Sequence, residues 1–349
     1  MAYNKVVLKG QTLLDLTADT VAPDTLAKGV TAHDKTGAQI TGTMESGGGA
    51  STKYGATVNT FLGDVVSTGK LSAPTVQTDL VFDGVTDIGD KALYFFNYQC
   101  PRKIKSVSFP HLTTVTGIRA LQWSFYNTAE QATLENISFP QLVSVVGDYA
   151  FSNAFQASLG TAVLFPVLDH VDGTNAFSRA FDSCRNLQSA RFPALVSIKG
   201  SSAFSYAFSY CYAMTEVSFP KLTQIGRDDV TNRNNNSHFA SAFDKLMTEV
   251  TFPALEKIYC TGGSVAPYGT FYNNSYIQKL YFPKLTTIDK NPNFTGSGTS
   301  TSHTLIFSNC NALTEIHFGA ANQAAIEASE GYPTLWGRGA GNATVYFDL

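Results

Sequence analysis

The side chains best placed to do chemistry in this chain are aromatic. Tyr206, Tyr210 and Tyr212 alternate with a run of Ala, Phe and Cys, and Trp123, Tyr126, Tyr272 and Tyr276 occupy corresponding segments elsewhere. If the Phe residues of those segments face inward at helical spacing, the seven others turn outward. There flat rings can stack on sugar faces and phenol hydroxyls can bond to sugar hydroxyls. Sideways packing against a neighbouring segment accounts for the same pattern equally well. Other chemistry finds less support. Six histidines (His33, His111, His170, His238, His303 and His317) form no HExxH or HxxxH pair and have no Cys at zinc spacing, so no metal site is expected. His111 and His170 fall at polar positions and read as solvated surface residues.

The five cysteines, Cys100, Cys184, Cys211, Cys260 and Cys310, form no CxxC pair. Cys184, Cys211 and Cys310 recur at one position relative to a following Phe, which suits a small soft side chain filling a stack better than a nucleophile. Free thiols are expected, with a Cys184–Cys211 disulfide the less favoured reading. There is no GxSxG, P-loop or dinucleotide fingerprint, and Gly47–Gly49 and Gly262–Gly263 lack the Lys or spacing of a phosphate cradle. Asp228-Asp229 with the nearby asparagines lacks the central Gly and terminal Glu of an EF-hand loop. The chain is expected to be no enzyme and to take no cofactor. A glycan-cleaving alternative would need two carboxylates facing across a groove.

The elements that carry these residues are set by an internal repeat. SFPHLTTV, SFPQLVSV, LFPVLDHV, RFPALVSI, SFPKLTQI, TFPALEKI and YFPKLTTI recur in register, with degenerate copies at Phe82 and Phe318. Successive anchors are 27, 30, 26, 27, 27, 33, 30 and 36 residues apart, which reads as nine turns of a solenoid. Between the anchors lies a second pattern, clearest in Ala176–Leu187 and Ala203–Met214 (A-F-x-x-A-F-x-x-C), read as a short helix because Phe at i and i+4 shares a face. The alternating stretch that follows reads as a strand, and Pro after the Phe marks a corner, since it cannot donate to a ladder. Asp83 and Gly319 replace that Pro in the first and last copies, as expected of caps, and Ala343–Leu349 alternates as a closing strand would.

A-F-x-x-C-x-x-L followed by x-x-[VA]-x-F-P-x-L-x-x-[VI] resembles the BspA-like class of leucine-rich repeats, over roughly residues 78–349. The resemblance implies a right-handed repeat solenoid of short parallel strands plus short helical turns, used for adhesion and recognition. Phe-Pro here replaces the Ile-Pro of many relatives, and the cysteine position is read as Ser275 in one turn.

Residues 1–45 share nothing with the repeat and read as a small β-rich attachment or oligomerisation segment: a strand over Val6–Leu16, a short helix near Pro23–Leu26, and a hairpin around Lys35–Gly37. Residues 46–77 read as a Gly-rich linker and strand-prone neck. The string TLLDLTADTVAPDTLAKGVTAHDKTGAQITGTM is similar to a short module near the N-termini of tail-fibre and minor structural proteins of phages. That resemblance implies docking to other tail proteins and a homo-oligomer, with a trimer favoured, on a virion tail.

Charge and hydropathy limit the partners further. Charged residues make 15% of the chain, against a usual ~25%, and 24 basic stand against 27 acidic residues with no Lys/Arg run, so nucleic acid is not an expected partner. The first residues lack a secretory h-region, and no stretch approaches the ~18 apolar residues of a membrane span. The expectation is a phage tail-associated protein whose solenoid binds a bacterial cell-surface glycan or protein. The alternative is a bacterial surface adhesin. Insertions near 226–238 and 289–303 are a second choice for the contact surface.

Overall fold

A computed structural model of the chain describes residues 5–8, 11–15, 31–33, 35–36, 38–41, 78–82, 85–94, 96, 104–126, 134–227, 237–243, 246–259, 269–289, 306–329, 332 and 343–349. The chain divides into two compact units, Met1–Ser51 with Phe82–Gly84, and Thr52–Val81 with Val85–Leu349. In the first unit the expected single strand over Val6–Leu16 is two strands, Lys5–Leu8 and Gln11–Asp15, paired antiparallel with Leu8 opposite Gln11. Lys9 and Gly10 stand between the two strands in sequence, where the run that apolar content made continuous contains a glycine. Thr31–His33 and Gln39–Thr41 also pair antiparallel, around the expected hairpin position. The helix expected near Pro23–Leu26 and the linker at 46–77 lie outside the described residues.

The second unit is a parallel β-solenoid of about seven regular turns, those with the Phe-Pro corner. One side is an unbroken eight-stranded parallel ladder of two- and three-residue strands, running from Asp87–Ile88 through Thr114–Val115, Ser144–Val145, His170–Val171, Ser197–Ile198, Gln224–Ile225 and Lys257–Tyr259 to Thr287–Asp289. A second side carries the strand just before each anchor Phe, in three shorter parallel ladders. Between them the Phe-Pro corner turns the chain, with Phe donating its N–H to the next coil, as Phe165 does to Arg191 O at 3.0 Å. After Phe318 no second strand is present among the described residues. Gly319 leads into a 3-10 turn, Ala320–Asn322, and a short helix, Gln323–Glu327, which buries Ile326. Thr344–Phe347 then pairs parallel with Glu315–Phe318, as the closing strand expected there. The nine-turn expectation thus counted end coils that lack the regular corner.

The core is three columns of Phe rings. Phe109, Phe139, Phe165, Phe192, Phe219, Phe252, Phe282 and Phe318 stack in sequence with centroids 5.0–6.1 Å apart. Phe151, Phe177, Phe204, Phe239, Phe271 and Phe307 form a second column, at 4.9–5.8 Å. Phe125, Phe155, Phe181 and Phe208 form a third, at 5.5–5.8 Å. The first two columns meet edge to face, as in Phe177 and Phe192 at 80°. Each buried Phe removes enough apolar surface to stabilise the fold by ~1.5–3 kcal/mol, with ~0.5–1.5 kcal/mol more for a good ring pair. Identical side chains one coil apart therefore fix the register of the whole stack.

The third side corrects the sequence reading. The A-F-x-x-A-F segments are not α-helices but flat ribbons of consecutive turns, with every fourth residue in the left-handed region: Asn175, Arg179 and Ser183 at φ 54, 55 and 63°, and Ser202, Tyr206 and Tyr210 likewise. Alternate N–H groups close turns within the ribbon, as Ala180 N–H to Phe177 O, while the others cross to the next coil, as Arg179 N–H to Ser205 O at 2.9 Å. The cause is spacing. Strands on the other two sides set the coil repeat at ~4.8 Å, whereas packed α-helices need 8–10 Å between axes. A left-handed non-glycine residue costs ~1–2 kcal/mol, and the inter-coil hydrogen bond it donates offsets part of that.

Candidate functional site

The ribbons change length along the solenoid, and a groove forms where they do. Fifteen residues separate Phe177 from Phe192 and Phe204 from Phe219, but only thirteen separate Phe239 from Phe252 and eleven separate Phe271 from Phe282. The loss of four residues is one whole turn of ribbon. The third Phe column accordingly stops at Phe208, and the Phe204 coil stands proud of the two that follow it. In this step lies a groove of about 350 Å³ lined by Tyr206, Ser209, Tyr210 and Tyr212 of the longer coil, Ser241 and Phe243 of the next, and Asn273, Ser275 and Tyr276 of the third.

Tyr210, Tyr212 and Tyr276 are large apolar side chains left exposed, at 56%, 42% and 50%. Tyr210 and Tyr212 meet nearly at right angles (6.2 Å, 78°), so the pair presents a corner of one face and one edge. Tyr206 is held from behind by the Arg179 guanidinium, 4.4 Å from the ring centroid, a contact worth ~0.5–1 kcal/mol on a partly exposed surface. Arg179 in turn pairs with Asp182 at 3.4 Å. Burial pushes the Asp182 carboxyl above its ordinary value, and the bonds from Ser183 and Arg179 only partly offset this.

The floor is fixed by Asn274, which is fully buried: its Nδ2 donates to Phe239 O and Phe271 O, both at 2.8 Å, and its Oδ1 accepts from Phe243 N–H at 3.1 Å. Phe243 stacks on Phe239 at 5.6 Å, and Asn273 Nδ2 donates to Ser241 Oγ at 2.8 Å. Asn274, not Ser275, holds the cysteine position in this coil, since Cys310 Sγ donates to Phe271 O one coil on as Asn274 does to Phe239 O. Ser275 instead lines the groove. The step also shows in the bonds between ribbons. In the Phe177 coil, Ser183 N–H donates to Ser209 O at 2.8 Å, whereas the equivalent Tyr210 N–H has no such bond among the described residues.

Of the seven aromatic residues singled out in the sequence, the structure gathers Tyr206, Tyr210, Tyr212 and Tyr276 in this groove. Tyr272 is drawn elsewhere, its hydroxyl accepting from Asn309 Nδ2 at 3.0 Å. Trp123 and Tyr126 form a separate edge-to-face pair (5.1 Å, 77°) three coils away. Sequence reasoning missed Ser209, Ser241, Phe243, Asn273 and Ser275. The signal for them was the shortening of the segment between the second-column Phe and the anchor.

The other chemistry-bearing groups are occupied in packing. Cys184, Cys211 and Cys310 are free buried thiols, each donating to a Phe carbonyl of the preceding coil (3.3, 3.1 and 3.0 Å). Burial pushes the Cys310 thiol up to about 12, which leaves it without thiolate near neutrality. His317 is sandwiched between Tyr281 and Tyr346, with ring centroids 4.8 Å away on both sides, and bonds Asp348 and Glu315. Among the described residues no group of three or more His, Cys, Asp or Glu could hold a metal ion. Nor, among them, is any helix long and apolar enough to cross a membrane. The insertions near 226–238 and 289–303 lie largely outside the described residues.

The family model "BspA type Leucine rich repeat region" matches this chain in six copies, over residues 81–228 and 174–294. No curated protein matches. Solved structures match at low identity. A leucine-rich repeat protein from Bacteroides ovatus ATCC 8483 is 18% identical over 70% of this chain and 63% of that one, with a TM-score of 0.30. One from Eubacterium ventriosum ATCC 27560 is 16% identical over 77% and 65%, with a TM-score of 0.34. Pneumococcal vaccine antigen PcpA is 11% identical over 77% and 72%, with a TM-score of 0.27. The chain spans just under two thirds of the length of the first two.

Proposed function

Because the chain belongs to the BspA-type leucine-rich repeat family, with matched repeats over well more than half its length, we propose that it is a recognition protein. Its solenoid presents the stepped aromatic groove to a bacterial cell-surface glycan or protein, and it is carried on the tail of a phage or phage-like particle. The observation that carries the binding reading is the groove itself: exposed tyrosines on a rigid stack, with hydroxyl and amide groups between them. Such a surface binds without bond chemistry. The tail assignment rests on the resemblance of residues 12–44 to a tail-protein module. Copies of the chain on one particle would add avidity of ~10²- to 10⁴-fold where their spacing fits the receptor.

Two measurements test this. Particles purified from a culture that carries the gene are expected to contain the chain by mass spectrometry. The full chain is expected to bind the cells those particles infect. Tyr210→Asn combined with Tyr276→Ser is expected to lower that binding at least tenfold while leaving thermal unfolding within a degree or two of the parent. Asn is chosen because Tyr210 has φ 57° and Asn tolerates that region. Absence of the chain from particles refutes the tail assignment, and equal binding by the variant refutes the groove.

A further inference from the structure

The groove's composition narrows its ligand, provided that the groove is the binding surface just proposed. We infer that it takes a neutral pyranose, one ring of an uncharged glycan, seated in the corner of Tyr210 and Tyr212 and faced by Tyr276. Four observations converge on this class. The lining side chains among the described residues are uncharged: four Tyr, one Phe, three Ser and one Asn. An anionic sugar or an acidic peptide would have to be desolvated against them without an opposite charge, which is costly. Among the described residues, the cation that touches a lining ring is already committed, since Arg179 stacks on Tyr206 and pairs with Asp182.

The second observation is shape. Two rings at 78° offer a flat face and a perpendicular wall, which matches a pyranose: its axial C–H face is apolar and its rim carries equatorial hydroxyls. The third is hydrogen-bonding capacity at the rim. Ser209, Ser241, Ser275 and Asn273 alternate with the rings. A sugar hydroxyl, both donor and acceptor, suits such a mixed set. The fourth is size: about 350 Å³ lies at the small end of the ~300–1,000 Å³ common for small-molecule sites, enough for one or two rings of a longer chain. The site is also preorganised, because Asn274 pins the floor with three hydrogen bonds, so little ordering cost falls on binding.

The test is a printed array of neutral and anionic bacterial oligosaccharides probed with the full chain at 0.1 M and 1 M NaCl. Binding is expected on neutral glycans and is expected to change less than twofold with salt, because stacking and neutral hydrogen bonds are not screened. Tyr210→Asn and Tyr276→Ser are each expected to weaken it roughly tenfold, the equivalent of one lost ring contact. Binding confined to anionic glycans, or abolished by salt, overturns the inference. A parallel arm separates this from the broader reading. If the chain binds cells whose glycans have been oxidised by periodate but not cells treated with protease, the recognition function stands and the neutral-sugar assignment falls. If it binds neither the array nor untreated cells, the recognition reading falls with it.

Discussion

His238 gives the sharpest quantitative test of the coil alignment. Its carbonyl accepts Phe204 N–H at 2.9 Å just as Ala203 O accepts Phe177 N–H and Ala176 O accepts Phe151 N–H, so His238 occupies the slot that alanine fills in the preceding coils. It is fully buried, and among the described residues neither ring nitrogen makes a hydrogen bond of good geometry. Burial lowers its pKa from 6.5 to about 4, with only a slight opposing effect from the Gly200 backbone. The folded chain keeps this imidazole neutral over a range where the unfolded chain protonates it. The resulting stability is complete above pH 6.5 and is lost as pH falls towards 4, below which nothing further changes. At 1.36 kcal/mol per unit the full loss is ~3 kcal/mol, of which ~2 kcal/mol is gone by pH 5. His238→Leu keeps most of the volume and removes the titration. Between pH 7 and pH 5 the parent is expected to lose about 2–4 °C more in thermal midpoint than this variant does. The shared change from titrating carboxylates cancels in the comparison, and the imidazole proton shift in NMR reads the titration directly. Equal losses in parent and variant, or an imidazole that titrates near 6.5, would refute the burial argument and the alignment behind it.

Two further substitutions probe the geometry between coils. Gly147 belongs to a column with Gly89, Gly117, Gly173 and Gly200, and a Cβ there would lie 2.6 Å from the Gly117 carbonyl carbon and closer still to its oxygen. Gly147→Ala must therefore push two coils apart and is expected to cost ~3 kcal/mol or more, read as a lower midpoint and faster amide exchange in both flanking ladders. Ala157 sits at φ 59° and donates its N–H to Asp182 O at 2.9 Å. Ala157→Gly relieves ~1–2 kcal/mol of left-handed cost against ~0.5–1 kcal/mol of added chain entropy, so a gain of up to ~1 kcal/mol is expected. Ala157→Pro forbids the angle and deletes the donor, and is expected to lower the thermal midpoint sharply, by ~3 kcal/mol or more.

What the sequence made legible is whatever repeats within one coil's own contacts. Anchor phenylalanines at near-constant spacing announce the columns, because each ring needs an identical ring a coil away, and Pro after the anchor announces the corner because it can give nothing to a ladder. The ribbon was misread because Phe at i and i+4 satisfies both a 3.6-residue helix and a four-residue turn. Only a longer run separates them: Ala176, Ala180 and Cys184, or Phe177 and Phe181, hold a strict period of four, while a helix would drift by about 40° at each step. The coil spacing supplies the decisive constraint, and it comes from the other two sides of the solenoid, where strands pair across 26 to 36 residues. The groove was half legible for the same reason. Exposed tyrosines stand out locally, but the hollow between them exists only as a difference between consecutive coils: four residues present after Phe204 and absent after Phe271. The hollow follows from breaking the repeat, since ribbons of equal length would carry crossing bonds such as Ser183 N–H to Ser209 O on across the step.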